Sequence, residues 1–371
     1  MQKPGIHFLH RLILPLLAIL AAVPACVGPA DAPAPVDYQH IVREGPNSVH
    51  VTRFEPGQGR IVLAKARDYS LGRETVSSIS AREKAVMAIN ASFFVMEDKF
   101  SGIPAGALKI QDSWYGVPRL PRAVLGWEED GGRVLMDQLE MEWTARIGDR
   151  EEHVHMVNTV RNRGYLLLYT PVFNTSTLTA PGGLEIIVAN GLVTGLRSEG
   201  DAAIPDDGFV LSYGVDSARE AVRPRIGDPV EIYWEFKPMR PDYADNSDWM
   251  EMDFLVGGAG LLISNGEEFD DHQVEKLSEG FDTTRHPRTA VGIDSRGRWV
   301  FVVVDGRQPG LSVGMSLPEL TDLMLSLDCE QAINLDGGGS TTMYLNGAVV
   351  NSPSDVSGER PVADALMVVE N

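Results

Sequence analysis

Residues 332–347, AINLDGGGSTTMYLNG, decide how this chain is to be read. An apolar run meets Asp336, three glycines follow, and then come Ser340, Thr341 and Thr342. A glycine run that cradles a nucleotide's phosphates opens a helix or carries a Lys at its end. Here the residues after the glycines, Thr341 to Leu345, are β-formers and no Lys is present. Asn346-Gly347 is a two-residue hairpin signal, and Ala348-Val349-Val350 reads as the returning strand. The stretch is therefore strand, glycine loop, hairpin, which argues against nucleotide binding of those two kinds.

Upstream, Ser316-Leu317-Pro318-Glu319 is a capping box with Pro in the first turn, and Leu320, Leu323, Met324 and Leu327 fall on one helical face. This helix lies between two apolar strands, WVFVVVDGR and QAINLDGGGS. A strand-helix-strand unit of this length permits a right-handed parallel crossover. Such a crossover sets Asp305-Gly306 and Asp336-Gly337 side by side at the strand tips.

Earlier parts of the chain are mostly β. Val49–Phe54, Ile61–Ala66 and AVMAIN read as strands, Ile79–Lys84 as a helix, and a polar passage near 128–152 as a hairpin insertion. YLLLYT, LEIIVANGLVTGLR, GFVLSYG and DPVEIYWEF are further short strands between Gly, Pro, Asn and Asp. No solenoid or propeller period occurs. The expected class is β-dominated, mixed α+β.

The 371 residues, 43% hydrophobic and 23% charged, suffice for a substantial core. A basic start followed by the apolar run Leu12–Val23 reads as a secretory signal over 1–25, too short to span a membrane. Val23-Pro24-Ala25-Cys26 resembles a lipobox, so Cys26 is a candidate lipidated first residue and membrane anchor; ordinary cleavage and release is the other reading. Residues 26–37 form a Pro/Ala-rich tether. With Cys329 as its only companion, Cys26 defines no disulfide scaffold. A net charge of −20 repels polyanions and makes nucleic acid an improbable partner.

The motifs NLDGGGSTTM, RTAVGID, VVVDGR, GMSLPEL, VNSPSD, GERPVADAL and AIN followed by SFF resemble the phosphodiester glycosidase family. Its animal member uncovers mannose 6-phosphate by removing N-acetylglucosamine from a phosphodiester. The resemblance runs over residues 85–371 and is densest over 285–368. It implies a large mixed β-sheet flanked by helices over residues 38–371, and a sugar phosphodiester or glycan as substrate. Ala91 and Ala259 stand where the family commonly has Gly, and their extra methyls narrow the expected site.

Read as chemistry, the N–H groups of Gly337, Gly338 and Gly339 with the Ser340 and Thr341 hydroxyls suit an anion-binding concavity. Glycoside cleavage generally needs two carboxyls, about 5–5.5 Å apart for retention and about 6.5–9.5 Å for inversion. Asp336 and Asp305 are the candidate pair; capping a turn through an Asx hydrogen bond is the alternative role for each Asp-Gly, and it weighs more for Asp305 than for Asp336. Arg288 and Arg307 offer guanidinium forks to a phosphate, with salt bridging as the alternative, and Glu359 and Arg360 carry the same ambiguity. Asn90 and Asn334 are expected to line the pocket, Asn334 on the same strand face as Asp336. No metal signature is present and no cofactor is required, though the oxygen-rich loops leave calcium open.

The expectation is thus an exported hydrolase, periplasmic, surface-anchored or secreted, cleaving a glycosidic bond at a sugar-1-phosphodiester or a related linkage of an envelope polymer. The alternative is a non-catalytic carbohydrate-binding or polysaccharide-assembly protein on the same scaffold.

Overall fold

The structure, a computed structural model, describes residues 36–129 and 131–370. The expected signal segment, Cys26 and nearly all of the tether lie outside the described residues. Among the described residues no helix is long and apolar enough to cross a membrane.

Among the described residues the β-dominated architecture takes the form of four sheets with few helices. The sheet that organises the rest is ordered Asp37–Arg43, Asn47–Phe54, Trp299–Val304, Arg288–Asp294, Cys329–Asn334, Leu261–Ser264, Glu267–Glu268. Trp299–Val304 is buried at every residue because both of its faces are covered. Trp299, Phe301 and Val303 enter one apolar cluster, and Val300, Val302 and Val304 enter another. This period-2 division is what an interior strand imposes.

The helix expected from the capping box spans Leu317–Ser326; Ser316 accepts from the Glu319 N–H and the Glu319 carboxylate returns to the Ser316 N–H. Its Leu320, Leu323 and Met324 are fully buried against Val300, Val302 and Ala332. Each such side chain contributes about 1.5–3 kcal/mol by leaving water. The two strands that the helix connects run parallel, but they are not neighbours: Arg288–Asp294 lies between them, antiparallel to both. The reason is local. Arg288–Asp294 turns straight into Trp299–Val304 as a hairpin and occupies the slot that an adjacent crossover would need.

The other face of this sheet packs on two more sheets. One is ordered Ala348–Val349, Met343–Leu345, Ala85–Asn90, Asp364–Val369, Arg60–Lys65. The expected hairpin is present in it, with Asn346 at φ 47° and Gly347 at φ 95°, the left-handed pair that a primed two-residue turn demands. The next sheet contains the hairpin Val134–Ile147 and Arg150–Val154; its long strand also pairs with Arg122–Trp127 and Val230–Pro238. A fourth sheet (Met156–Val157, Leu166–Tyr169, Gly208–Tyr213, Leu184–Ala189, Leu192–Arg197) shares a core with it.

Candidate active site

The three glycines make room for side chains, and the loop's own donors are largely spent. The Gly337 N–H goes to the Asp336 carboxylate at 2.9 Å and the Gly338 N–H to the Pro287 carbonyl at 2.9 Å. Those of Ser340 and Thr341 close a turn onto Gly337 and Gly338. The expected concavity of main-chain donors is therefore mostly closed, because a turn this tight satisfies itself. A Cβ on Gly337 would sit 2.6 Å from the Pro287 carbonyl oxygen. On Gly338, at φ +63°, it would meet the Arg307 guanidinium at 3.1 Å; on Gly339 it would overlap Arg360 at 2.0 Å and Asp355 at 2.2 Å. Bare backbone lets two guanidinium groups lie on the loop.

Arg360 is held by Asp355 through two bonds of 2.7 and 2.9 Å. Arg307 differs: it is exposed, no carboxylate lies within 4 Å among the described residues, and its contact is Nη2 to His286 Nδ1 at 3.2 Å. Burial and the neighbouring Arg307 and Arg288 charges push the His286 pKa down, which keeps its ring neutral and able to accept. An unneutralised guanidinium in so acidic a chain is a ready seat for an anion.

Beneath the loop, four buried oxygens have no hydrogen-bond partner: Asn334 Oδ1, Ser340 Oγ, Thr341 Oγ1 and Thr342 Oγ1. Buried polar groups are normally paired, so these four oxygens are unsatisfied acceptors around the loop.

Asp336 itself is pushed up to about 7 by burial, and the neighbouring Asp364 carboxyl adds to the rise; Ser340, the Gly337 N–H and Arg360 oppose it. Asp336 retains some solvent exposure, whereas Asp364 is 1% exposed. Asp364 takes hydrogen bonds from the Ser92 N–H, at 2.7 Å, and hydroxyl, and its pKa is raised by burial against the pull of Lys65. Lys65, also buried, gives its ammonium to the carbonyls of Gly102 and Ala363, and burial lowers it to about 8. The segment Ala91-Ser92 joins the two acids, since the Asp336 N–H donates to the Ala91 carbonyl at 2.9 Å. A carboxyl poised near neutrality can exchange a proton with a bound ligand.

Asp305 stands behind the loop. It is 2% exposed, and both oxygens are occupied: Oδ1 by Asn351 Nδ2 at 3.0 Å and the Ser352 N–H at 2.9 Å, Oδ2 by His50 Nε2 at 3.2 Å. These bonds outweigh burial and hold its pKa below the usual range. Asn351 also donates to the Thr341 carbonyl at 3.1 Å, so Asp305 braces the far side of the glycine loop. The two Asp-Gly tips therefore do not lie side by side as the crossover reading expected: Arg288–Asp294 runs between their strands, Gly306 and Gly337 both abut Pro287, and the Asp305 carboxylate faces inward.

Three other expected ligand groups are engaged within the protein. Asn90 gives Nδ2 to the Asp336 carbonyl and accepts from Thr289 Oγ1 and the Thr342 N–H, so it ties loops together. Arg288 is 2% exposed and serves the carbonyls of Met315, Phe281 and Thr284; burial lowers its pKa to about 10. Glu359 accepts from the N–H and hydroxyl of Ser77, in the first turn of the Val76–Glu83 helix, where a carboxylate meets unpaired helix donors. Asn334 donates to the Ala259 carbonyl and leaves its oxygen unpaired; the strand ends there, so strand alternation no longer fixes Asp336 to its face. His50, Ser92, Lys65, Asn351 and Asp364 escaped sequence reasoning. Asp364 sits in the quoted GERPVADAL motif, but an Asp opening an apolar strand looks like a turn residue.

Among the described residues no group of three His, Cys, Asp or Glu side chains is arranged to hold a metal.

Residues 182–369, half of the chain, match the sequence model of the phosphodiester glycosidase family. An uncharacterized protein of Rickettsia conorii is 28% identical over 60% of this chain and 76% of its own length. The bovine N-acetylglucosamine-1-phosphodiester alpha-N-acetylglucosaminidase is 37% identical over 110 residues, 27% of this chain. The chain spans only 20% of that enzyme's length. A hypothetical protein from Synechocystis has a similar solved fold, with TM-score 0.78 at 23% identity over 92% of this chain and 64% of that one.

Proposed function

The chain belongs to the phosphodiester glycosidase family, and from that premise we propose that it is an exported hydrolase that cleaves the glycosidic bond of a sugar-1-phosphodiester. One observation carries this reading: an uncompensated guanidinium, Arg307, and a carboxyl raised toward neutrality, Asp336, share one glycine loop over unpaired buried oxygens. The guanidinium provides for the phosphate. The group that leaves when the C1–O bond breaks is a phosphate monoester, which departs with little need of a proton, so the useful task for Asp336 is that of general base toward the water attacking C1. A base with a pKa near the working pH combines availability with driving force. The second carboxyl, Asp364, acts through Asp336 as a positioning residue.

The reading is tested with purified protein, a synthetic N-acetylglucosamine-1-phosphodiester and heavy-oxygen water. Label is expected in the released sugar. Asp336→Asn should lower kcat/KM about 10²–10⁴-fold. Arg307→Ala should raise KM about 10-fold or more, the worth of a charge-assisted contact, and Arg307→Lys should restore it poorly. Label in the phosphate instead would identify a phosphodiesterase, and sugar bound but never released would favour the non-catalytic binding protein.

A further inference from the structure

A cleft of about 490 Å³ opens at the fourth sheet between segments 160–163 and 177–181, apart from the glycine loop. Lys99, Arg161 and Arg163 line it, and among the described residues no acidic one does, a reversal of sign in a chain of net charge −20. Arg163 is neutralised by Asp216 at 3.0 and 3.1 Å. Arg161 is not: it is half-buried, and among the described residues no carboxylate lies within 4 Å of it. Its seat is built by the fold. Nη1 donates to Ser212 Oγ at 3.2 Å and Nη2 to the Ala180 carbonyl, and a Cβ on Gly183 would sit 2.5 Å from Nη1. Ser212 in turn donates to Glu185, its cross-strand partner, which is fully buried and also takes the Thr177 and Thr179 hydroxyls and the Ala202 N–H. Neutral donors thus meet the Glu185 carboxylate, and it steadies Arg161 only through Ser212. The other N–H groups of the Arg161 fork make no hydrogen bond within the described residues, and none of its nitrogens is both buried and unpartnered, so they open to the cleft. Lys99, exposed on the rim, gives one of its donors to the Leu178 carbonyl at 3.1 Å.

We propose that this cleft is a second anion subsite, holding one phosphodiester of a sugar-phosphate chain while another lies at Arg307. A fixed guanidinium with unused N–H groups beside an ammonium matches the oxygens of a phosphate, whereas a neutral guest would leave the Arg161 charge uncompensated. One segment ties the cleft to the glycine loop. The Ala91 carbonyl takes the Asp336 N–H, the Met96 sulfur meets Arg360 Nη1 at 3.9 Å, and Lys99 follows Met96 by three positions, a Cα separation of at most about 11 Å. Two anion seats on one short segment reward a ligand that repeats its charge, because the first contact raises the effective concentration of the second. The inference rests on the phosphodiester reading of the substrate for the identity of the polymer, and on the cleft's own charge for the binding of an anion.

The test is a calorimetric titration of the full chain carrying Asp336→Asn, in which the ligand survives, with a synthetic phosphodiester-linked tetramer of N-acetylglucosamine-1-phosphate and with a single N-acetylglucosamine-1-phosphodiester. The tetramer should bind about 10-fold or more tighter than the single unit. Arg161→Ala should weaken the tetramer about 10-fold or more, the worth of a charge-assisted contact. Lys99→Ala, on the exposed rim and no threat to folding, should weaken it about 3-fold or more. Neither variant should change the affinity of the single unit or, with Asp336 restored, its turnover. A tetramer that binds no tighter than the unit would overturn the proposal, as would tetramer binding unaltered by both variants. So would equal affinity for an uncharged N-acetylglucosamine tetramer or for a tetramer of uronic acid. The titration requires no turnover, so a protein that shows these losses yet never releases sugar refutes the glycosidase reading alone. Release of sugar from the single unit, with tetramer affinity indifferent to Arg161 and Lys99, refutes the second subsite alone.

Discussion

Arg360 Nη2 lies 2.0 Å from the point that a Cβ on Gly339 would occupy. The third glycine of the loop is therefore set by a neighbour's guanidinium and not by its own backbone angles. Gly339→Ala must displace the Arg360–Asp355 pair or the loop. Since small misplacements of reacting groups are costly, kcat/KM on a sugar-1-phosphodiester is expected to fall about 10²-fold. Near-UV circular dichroism should show the rest of the fold intact; an active Gly339→Ala would show that the pair's position is immaterial.

Asp336 gives a pH signature in two measurements. Ordinarily the group titrates at 3.8, and in the fold at about 7. The folded chain therefore binds more protons than the unfolded one between these values. Its stability contribution is full below pH 4 and is lost as pH rises through 7. Asp336→Asn, which imitates the protonated state, should remove that slope from urea-unfolding free energies measured between pH 4 and 8. For activity, a general base requires the ionised form, so kcat/KM should climb with pH and level off above about 7. A profile that falls through the same range would assign the acid's role instead.

Asp305 is expected to behave as a brace. Asp305→Ala strands His50, Asn351 and the Ser352 N–H, and breaking a buried pair of this kind costs about 3 kcal/mol. Its pKa is depressed in the fold, so the stability it lends is present above its ordinary pKa and disappears as pH falls through the folded value. Denaturant unfolding of wild type and Asp305→Asn at pH 7 and pH 3 should show the difference between them shrinking in acid. An unchanged difference would mean that the carboxylate's charge is not what matters.

Glu359 separates a structural carboxylate from a ligand-binding one. Glu359→Ala should lower stability by about 1 kcal/mol through loss of the helix-end contact with Ser77, and leave KM unaltered. A large rise in KM with unchanged melting would return Glu359 to the substrate site.

Elements governed by neighbours in the chain were legible in the residues. The Ser316 capping box, the apolar face from Leu320 to Leu327 and the Asn346-Gly347 turn depend on contacts a few residues apart, and each is where the pattern puts it. The glycine loop was legible as an unusual stretch and hence a candidate site, because three glycines between a strand and a hairpin exceed what a turn needs. What the loop does was not. Whether an Asp faces ligand or core depends on groups far away in sequence: His50 lies 255 residues from Asp305, and Ser92 lies 272 from Asp364. Local pattern carries no record of such pairings, which arise only when sheet order brings distant strands together. Sequence alone thus determined the elements, the family resemblance and the acidic loop. Tertiary structure decided which carboxyl is poised and which guanidinium is left free, because burial and electrostatic pairing are properties of the assembled surroundings.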